Sequence, residues 1–410
     1  MSATSEVRRL VACQGSLQIV TALSVLRQRE RNCQGGRRRT RDVLVIYDLY
    51  APAGQIEDFR ATLRQLARAG GEWEDIICLD PEEIDRWCRL VHTAGLRRVQ
   101  REVIARLGGC HADELFLVRN WQPGNRLMMN CYPQAECICY GDTIGVYFTE
   151  HYFRPSGLPL ADAGLPISRM PRWRRLLSEA RDTLFQALRG RNTLAEMSFN
   201  SGCLVAPDLF GEKPPFPVAI ADRSLLRDTL AVIARQIRPA APDSLHVRSG
   251  PCALLLTSNF SEAGAMTLEG ELTACRAFLG DRVPASATIV IKPHPRDSRE
   301  KIAAFGEALR RDFAAVHLLD DPQLFYLPFE LFLLTAFGDS GFDLGAELQF
   351  LCFSSACLGP AFLFNVRAEV GFGPELVNHH FDPALRASRL RHEADLTSAM
   401  DRLIGTATDL

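Results

Sequence analysis

The chain has 410 residues, 47% of them hydrophobic and 23% charged, with a net charge of −2. Such a composition suits a soluble globular protein of about two domains, at roughly 100–200 residues each. With so little net charge there is no general drive toward nucleic acid, and no nucleic-acid partner is expected.

Arg9–Cys13 reads as a first strand, Gln14 to Ser16 as a turn and Leu17–Arg29 as a helix. Val43–Tyr47 follows as a strand, then Gln55–Ala69 as a helix with Phe59, Leu63 and Leu66 on its apolar face. Asp75–Leu79 and Glu114–Val118 are further strands with Trp87–Leu107 helical between them, and Cys137–Tyr140 is a short strand before "YGDTIGVYF". Residues 154–176 carry prolines and the basic run "SRMPRWRR", after which Trp173–Leu188 has a helical pattern. Gly202–Ala206 reads as the last strand of the first half and Leu225–Ile237 as its closing helix. The Pro, Ser and Gly content of "RPAAPDSLHVRSGP" then marks a linker.

A second alternating series begins with the strand Cys252–Leu256, the loop "TSNFSEAG" and the helix Glu269–Phe278. Thr288–Ile291 is a strand, Ser298–Ala308 a helix, Val316–Leu318 a strand, Leu327–Phe337 a helix and Leu348–Phe353 a strand. Glu393–Ile404 is a terminal helix. Alternating strands and helices predict an α/β protein with two doubly wound parallel sheets and a cleft between them. The expected division is 1–240, 241–390, and a terminal segment 391–410 packing back on the first domain.

Thirteen cysteines include no C-x-x-C pair, and neither Cys137 with Cys139 nor Cys352 with Cys357 is spaced like zinc ligands. Cys252, Cys352 and Cys357 sit inside apolar runs as small hydrophobes, consistent with a reducing cytoplasm. The apolar core of "MSATSEVRRLVACQGS" is too short for a secretory signal. Leu348 to Val366 is uncharged and close to the roughly 20 residues of a membrane span. Its Ser354, Ser355, Gly359 and Pro360 instead predict a strand, a turn, then a helix or second strand.

Four places could carry chemistry. In "IVIKPHPRDS", Pro293 and Pro295 lock φ and remove backbone donors, which holds His294 in a stiff turn at a strand's carboxyl end, where α/β sheets bind ligands. A strand-capping histidine is the bland alternative. Ser354 and Ser355, at the end of "LQFLCFSSACLG", form either an anion site at a helix start or an ordinary serine cap. Glu330 in "LPFELFLL" either grips a ribose diol or complements the helix dipole. Asp142, between Gly141 and Gly145, is either a general base or a turn-forming residue.

Taken together, these motifs resemble the bacterial polysialyltransferase family and related GT-B sialyltransferases. Those enzymes carry an acidic D/E-D/E-G motif, an HP motif and a serine motif in this order, matched here by Gly141-Asp142-Thr143, His294-Pro295 and Ser354-Ser355. The phrases "ALLLTSNFSEAG" and "LPFELFLL" are also similar. Two positions depart from the pattern. Gly141 stands for the first acid and Thr143 for the glycine, which bears on the acceptor side more than on the base.

The resemblance implies GT-B architecture and an inverting transfer of a sugar acid from a CMP-activated donor, CMP-sialic acid, to a glycan hydroxyl. Asp142 would deprotonate the acceptor, and His294 would give a proton or hydrogen bond to the departing phosphate. Ser354 and Ser355 would hold the phosphate with Lys292 as an auxiliary cation and Pro295 beside it. Glu330 would hold the ribose, and Thr257, Ser258 and Asn259 would face the nucleotide. Gly15, Ser16, Arg119 and Asn120 would line the acceptor half.

No cofactor is expected beyond the donor. No D-x-D triplet occurs to hold a metal, and adjacent His379 and His380, on opposite sides of a strand, would chelate poorly. Arg37–Arg39 and Arg172–Arg175 read as solvated faces, or as contacts for an anionic glycan or the inner face of the membrane. The implied setting is cytoplasmic synthesis of a bacterial capsule or surface polysaccharide, peripheral to that membrane. Two alternatives stand beside it: a GT-B enzyme using CMP-Kdo or another nucleotide sugar, and a catalytically silent binding relative.

Overall fold

The computed structural model describes residues 6–32, 39–47, 49, 54–109, 111–120, 122–141, 194–195, 197–210, 214–238, 250–337 and 348–405. Seven strands of the first half, β1 (Val7–Cys13), β2 (Thr40–Ile46), β3 (Asp75–Cys78), β4 (Glu114–Leu117), β5 (Glu136–Cys139), β6 (Ser201–Leu204) and β7 (Val218–Ile220), form one sheet. Its order is β3-β2-β1-β4-β5-β6-β7, and each pairing is parallel. Five strands of the second half, β8 (Cys252–Leu256), β9 (Thr288–Lys292), β10 (Ala315–Leu318), β11 (Leu348–Cys352) and β12 (Glu369–Val370), form a parallel sheet in the order β10-β9-β8-β11-β12. Strands buried on both faces read as unbroken apolar runs, which is why "CALLL" and "TIVIK" become β8 and β9.

The helices are α1 (Ser16–Asn32), α2 (Ile56–Gly70), α3 (Pro81–Ala94), α4 (Leu96–Arg106), α5 (Pro123–Cys131) and α6 (Arg223–Ile237), then α7 (Leu268–Gly280) and α8 (Arg299–Leu309). They continue with α9 (Pro322–Phe325), α10 (Phe329–Phe337), α11 (Leu358–Phe364), α12 (Gly373–His380) and α13 (Arg386–Gly405). Strand order reverses between β1 and β4 in the first sheet and between β8 and β11 in the second. Crevices beyond the carboxyl ends at such switch points are where α/β sheets bind ligands.

Those carboxyl ends face one another. The Tyr326 hydroxyl, in the segment after β10, donates to Gln55 Oε1 at 3.0 Å at the start of α2. Its ring stacks on Phe59 at 4.8 Å, and Arg299 at the start of α8 lies 3.8 Å from Asp58. Behind this edge a single apolar core joins the halves: Leu230 and Ile233 of α6 cluster with Leu331 of α10, Ala361 of α11 and Met400 of α13. The expected pair of doubly wound parallel-sheet α/β halves, facing each other through their carboxyl edges, is the one observed.

Several elements differ from the sequence expectation. Trp87–Leu107 is two helices, because Gly95 at φ +85° breaks the run after α3. Leu327–Phe337 is likewise shortened to α10, which starts after Pro328. Gly202–Ala206 is not the last strand of its half; β7 adds an edge beyond it. His379 and His380 end a helix, α12, rather than lying on a strand. The terminal helix starts at Arg386, earlier than Glu393, and among the described residues packs on α11, on α12 and on the turn Pro207–Phe210 of the first half. The helix expected over 173–188 lies outside the described residues, as do Arg37, Arg38 and Arg172–Arg175, while Arg39 pairs with Glu6 at 3.5 Å. No helix among the described residues is long and apolar enough to cross a membrane.

Candidate active site

Three loops leave adjacent carboxyl ends in the second sheet: Thr257–Asn259 after β8, Pro293–Asp297 after β9 and Phe353–Ser355 after β11. His294 and Ser355 are partly exposed here, whereas Thr257 and Ser258 are buried. The His294 backbone N–H is shared between Thr257 Oγ1 and Asp297 Oδ2, each at 2.9 Å. Thr257 in turn donates to the same Asp297 oxygen at 2.7 Å. Asp297 N closes the turn onto His294 O at 2.9 Å.

The imidazole is held as well. Arg296 N donates to His294 Nδ1 at 3.1 Å, so Nδ1 is an acceptor and the proton of the neutral ring is on Nε2. Burial, followed by the positive charges of Arg296, Lys301 and Lys292, pushes the pKa of His294 down to about 3. At neutral pH this ring is therefore uncharged and offers an Nε2–H donor rather than a transferable imidazolium proton.

Ser354 caps the short turn Ser355–Cys357, accepting from Ala356 N at 3.4 Å, and the turn runs directly into α11. Its strand end is anchored from an unexpected direction. Arg389, buried on α13, donates to Phe353 O at 2.9 Å and pairs with Glu393 at 2.7 Å. Glu393 accepts from Phe372 N and Gly373 N, both at 3.0 Å. Neither residue carries a sequence signal beyond Arg–Glu spacing at i, i+4 on a helix.

Lys292 and Glu330 turn inward. Lys292 Nζ donates to Phe325 O at 2.5 Å and Pro293 O at 3.3 Å, so it braces the segment after β10 rather than standing open to a ligand. Burial lowers its pKa to about 8. Glu330, only 4% exposed, lies beneath α11, where a Cβ on Gly359 would come 1.9 Å from its Oε1. A ribose would reach this carboxylate only after a shift of α11 or of the side chain.

Burial raises the pKa of Glu330 to about 7, with Lys292 opposing only in part. Since the folded value lies above the unfolded one, the stabilising protonated form is complete below about pH 4.5 and is lost as pH rises through about 7. Glu330→Gln removes this loss, on the order of 3 kcal/mol. Its Tm relative to the parent is expected to be more favourable at pH 8 than at pH 5, as read by thermal melts. An equal difference at both pH values would show that Glu330 titrates normally.

In the first sheet Gly15 and Ser16 follow β1 and Arg119 and Asn120 follow β4, so the four expected acceptor-side residues flank its switch point. Asn120 is 8% exposed; its Nδ2 donates to Met197 O at 3.2 Å while its Oδ1 has no hydrogen-bond partner. Tyr140 ties the end of β5 to β1 through a 2.7 Å bond to Ala12 O. It precedes Gly141, whose φ of +76° turns the chain sharply. Asp142 itself lies outside the described residues. A separate hollow of about 1260 Å³ at the amino ends of β1 and β2, lined by Arg9, Arg27 and Glu30 among others, contains none of these residues. Pro295 stays at the mouth of the β9 loop and Asn259 at that of the β8 loop, both partly exposed.

With this geometry in view, residues 215–335 match the family model described as alpha-2,8-polysialyltransferase (POLYST). By this match the chain is similar to the alpha-2,8-polysialyltransferases. The matched stretch runs from β7 to α10 and includes the β8 loop, His294 and Glu330, while the serine turn lies beyond it. No curated protein is similar enough in sequence to count as a match. Solved structures with a similar chain path include the UDP-GlcNAc 2-epimerase from Neisseria meningitidis bound to UDP-GlcNAc, at 10% identity and TM-score 0.45, covering 99% of this chain and 100% of that one. The UDP-GlcNAc 2-epimerase from Methanocaldococcus jannaschii is 9% identical at TM-score 0.42, covering 99% and 100%. An alpha,alpha-trehalose-phosphate synthase (UDP-forming) from Burkholderia vietnamiensis is 10% identical at TM-score 0.36, covering 98% and 100%. The fold rests on the two sheets themselves rather than on these likenesses.

Proposed function

We propose that the protein is an inverting glycosyltransferase that moves a sugar acid, sialic acid from CMP-sialic acid, to a glycan hydroxyl without a metal. The observation that carries this reading is the His294 loop, which offers a neutral Nε2–H donor at the same sheet edge as Ser354 and Ser355. Hydrogen-bond donors aimed at a leaving phosphate stabilise the charge that develops there. The similarity to the polysialyltransferase family supports both the donor class and transfer to a glycan.

In the proposed reaction Asp142 takes the proton of the acceptor hydroxyl as its oxygen attacks the anomeric carbon. The bond from that carbon to the CMP phosphate breaks on the opposite face. His294 and the serine hydroxyls then hold the released phosphate, and the Thr257–Asn259 loop borders the nucleotide. A base from the first sheet and a leaving-group site on the second meet the demand for opposite faces. Work at the cytoplasmic face of the membrane, on a capsule or surface polysaccharide, belongs to the same reading.

Calorimetry with CMP in EDTA tests it. CMP is expected to bind without added metal, and binding restored only by magnesium or manganese would overturn the metal-free site. The double variant Ser354→Ala, Ser355→Ala is expected to weaken CMP about tenfold or more while cytidine changes little, because a hydrogen bond to a charged group contributes about 1.5–3 kcal/mol. Equal losses for both ligands would remove the serines from the phosphate role.

A further inference from the structure

Beneath the His294 loop lies a buried charge cluster that the reaction itself does not use. Lys301, 1% exposed on the first turn of α8, is 3.0 Å from Asp297 Oδ1, 2.7 Å from Glu271 Oε1 and 2.9 Å from Glu262 Oε2. Its ammonium also donates to Ser258 O at 2.7 Å. Glu271 reaches from α7 and accepts from Ser261 N at 2.8 Å, and Ser298 caps α8 by accepting from Lys301 N at 3.2 Å. One cation thus joins the loop after β8, helix α7 and the loop after β9.

We propose that Asp297 and Lys301 are positioning residues for the transfer reaction: through Thr257 and the His294 backbone they hold the imidazole as the Nε2–H tautomer aimed into the cleft. This inference rests on the role proposed for His294. Each link is direct. Asp297 Oδ2 binds the His294 N–H and the Thr257 hydroxyl, while Asp297 Oδ1 faces Lys301. The turn that Asp297 closes also brings Arg296 N onto Nδ1, the contact that selects the tautomer.

Stability alone is a weak account of such a cluster. Taking several charges out of water is costly, and well-packed apolar replacements are often neutral or stabilising. What a salt-bridged hydrogen-bond network adds is a fixed geometry, and a shift of about 1 Å at a reacting group costs up to about 100-fold in rate. The two lysines among the described residues are both buried at this site: Lys292, the last residue of β9, against the segment after β10, and Lys301 beneath the His294 turn.

The test reads the ring directly, in the ligand-free 410-residue chain. Long-range proton–nitrogen correlation spectra of ¹⁵N-histidine-labelled protein, with His294 assigned by its loss in His294→Gln, are expected to show a neutral Nε2–H ring from pH 5.5 to 8. In Asp297→Asn, and in Thr257→Val, which keeps the volume and removes the hydroxyl, His294 is expected to show mixed tautomers. Thr257→Ser, which restores the hydroxyl, is expected to return the parent spectrum. With CMP-sialic acid, kcat should fall about 10–100-fold in Asp297→Asn and Thr257→Val while KM changes less, and recover in Thr257→Ser. Folded variants that keep the parent His294 signals would overturn the proposal. If the donor is wrong, the parent shows no transfer while the tautomer changes persist, so the two failures are distinct.

Discussion

His294→Ala is expected to slow transfer about 100–1000-fold, the usual cost of removing one donor from a preorganised charge-stabilising site, while the protein remains folded. The expectation follows from where the ring is held. Its backbone N–H and Nδ1 are already engaged within the loop, which leaves Nε2–H as the group free to meet a ligand. The alanine variant keeps the backbone N–H bonds to Thr257 and Asp297 and therefore the turn itself. A strand-capping histidine would behave in the opposite way, with Tm falling and activity surviving in the folded fraction.

Two measurements sharpen this expectation. The defect should shrink on an aryl sialoside with an acidic phenol, which departs without help. An equal loss on both donors, in protein that melts normally, would show that His294 does not assist the leaving group. Because burial and nearby cations hold the His294 pKa at about 3, kcat/KM of the parent should not decline between pH 5.5 and 7.5. A decline over that interval, where an ordinary imidazole loses its proton, would identify the imidazolium as the acting form.

Asp142→Asn is expected to reduce transfer by about 10²–10⁴-fold, the range for a positioned acid–base group, and to leave CMP affinity near that of the parent. Asparagine keeps the shape and removes the basicity. The split between rate and affinity reflects the fold: Asp142 follows β5 of the first sheet, whereas the proposed nucleotide site is built on β8, β9 and β11 of the second. Near-parental transfer by a folded Asp142→Asn protein would eliminate Asp142 as the base. Parallel loss of CMP binding would move it to the donor side.

Much of the scaffold is legible in the sequence because parallel strands covered on both faces must be apolar throughout. The runs "CALLL" and "TIVIK", with glycine, proline and serine at their ends, have no other economical reading. The element boundaries that were missed depend on single residues whose effect is local. Gly95 splits one amphipathic pattern into α3 and α4, and an unremarkable "PGNRLMMNC" becomes α5 because Pro123 starts it and its side chains are buried. A helical pattern does not disclose where tertiary packing permits an interruption.

The sequence by itself determined the alternation of strands and helices, the placing of His294, Ser354 and Ser355 at strand ends, and the rigidity of the Pro293–Pro295 turn. Those features arise from covalent geometry and from periodicity along the chain. Only the tertiary structure decided that the carboxyl edges face one another through Tyr326 and Gln55, that Lys292 and Glu330 turn inward, and that His294 is neutral. It also brought Lys301 to Asp297, Glu271 and Ser258, and Arg389 to Phe353. Burial and charge proximity are sums over residues distant in sequence, and a protonation state follows from those sums rather than from the residue's own name.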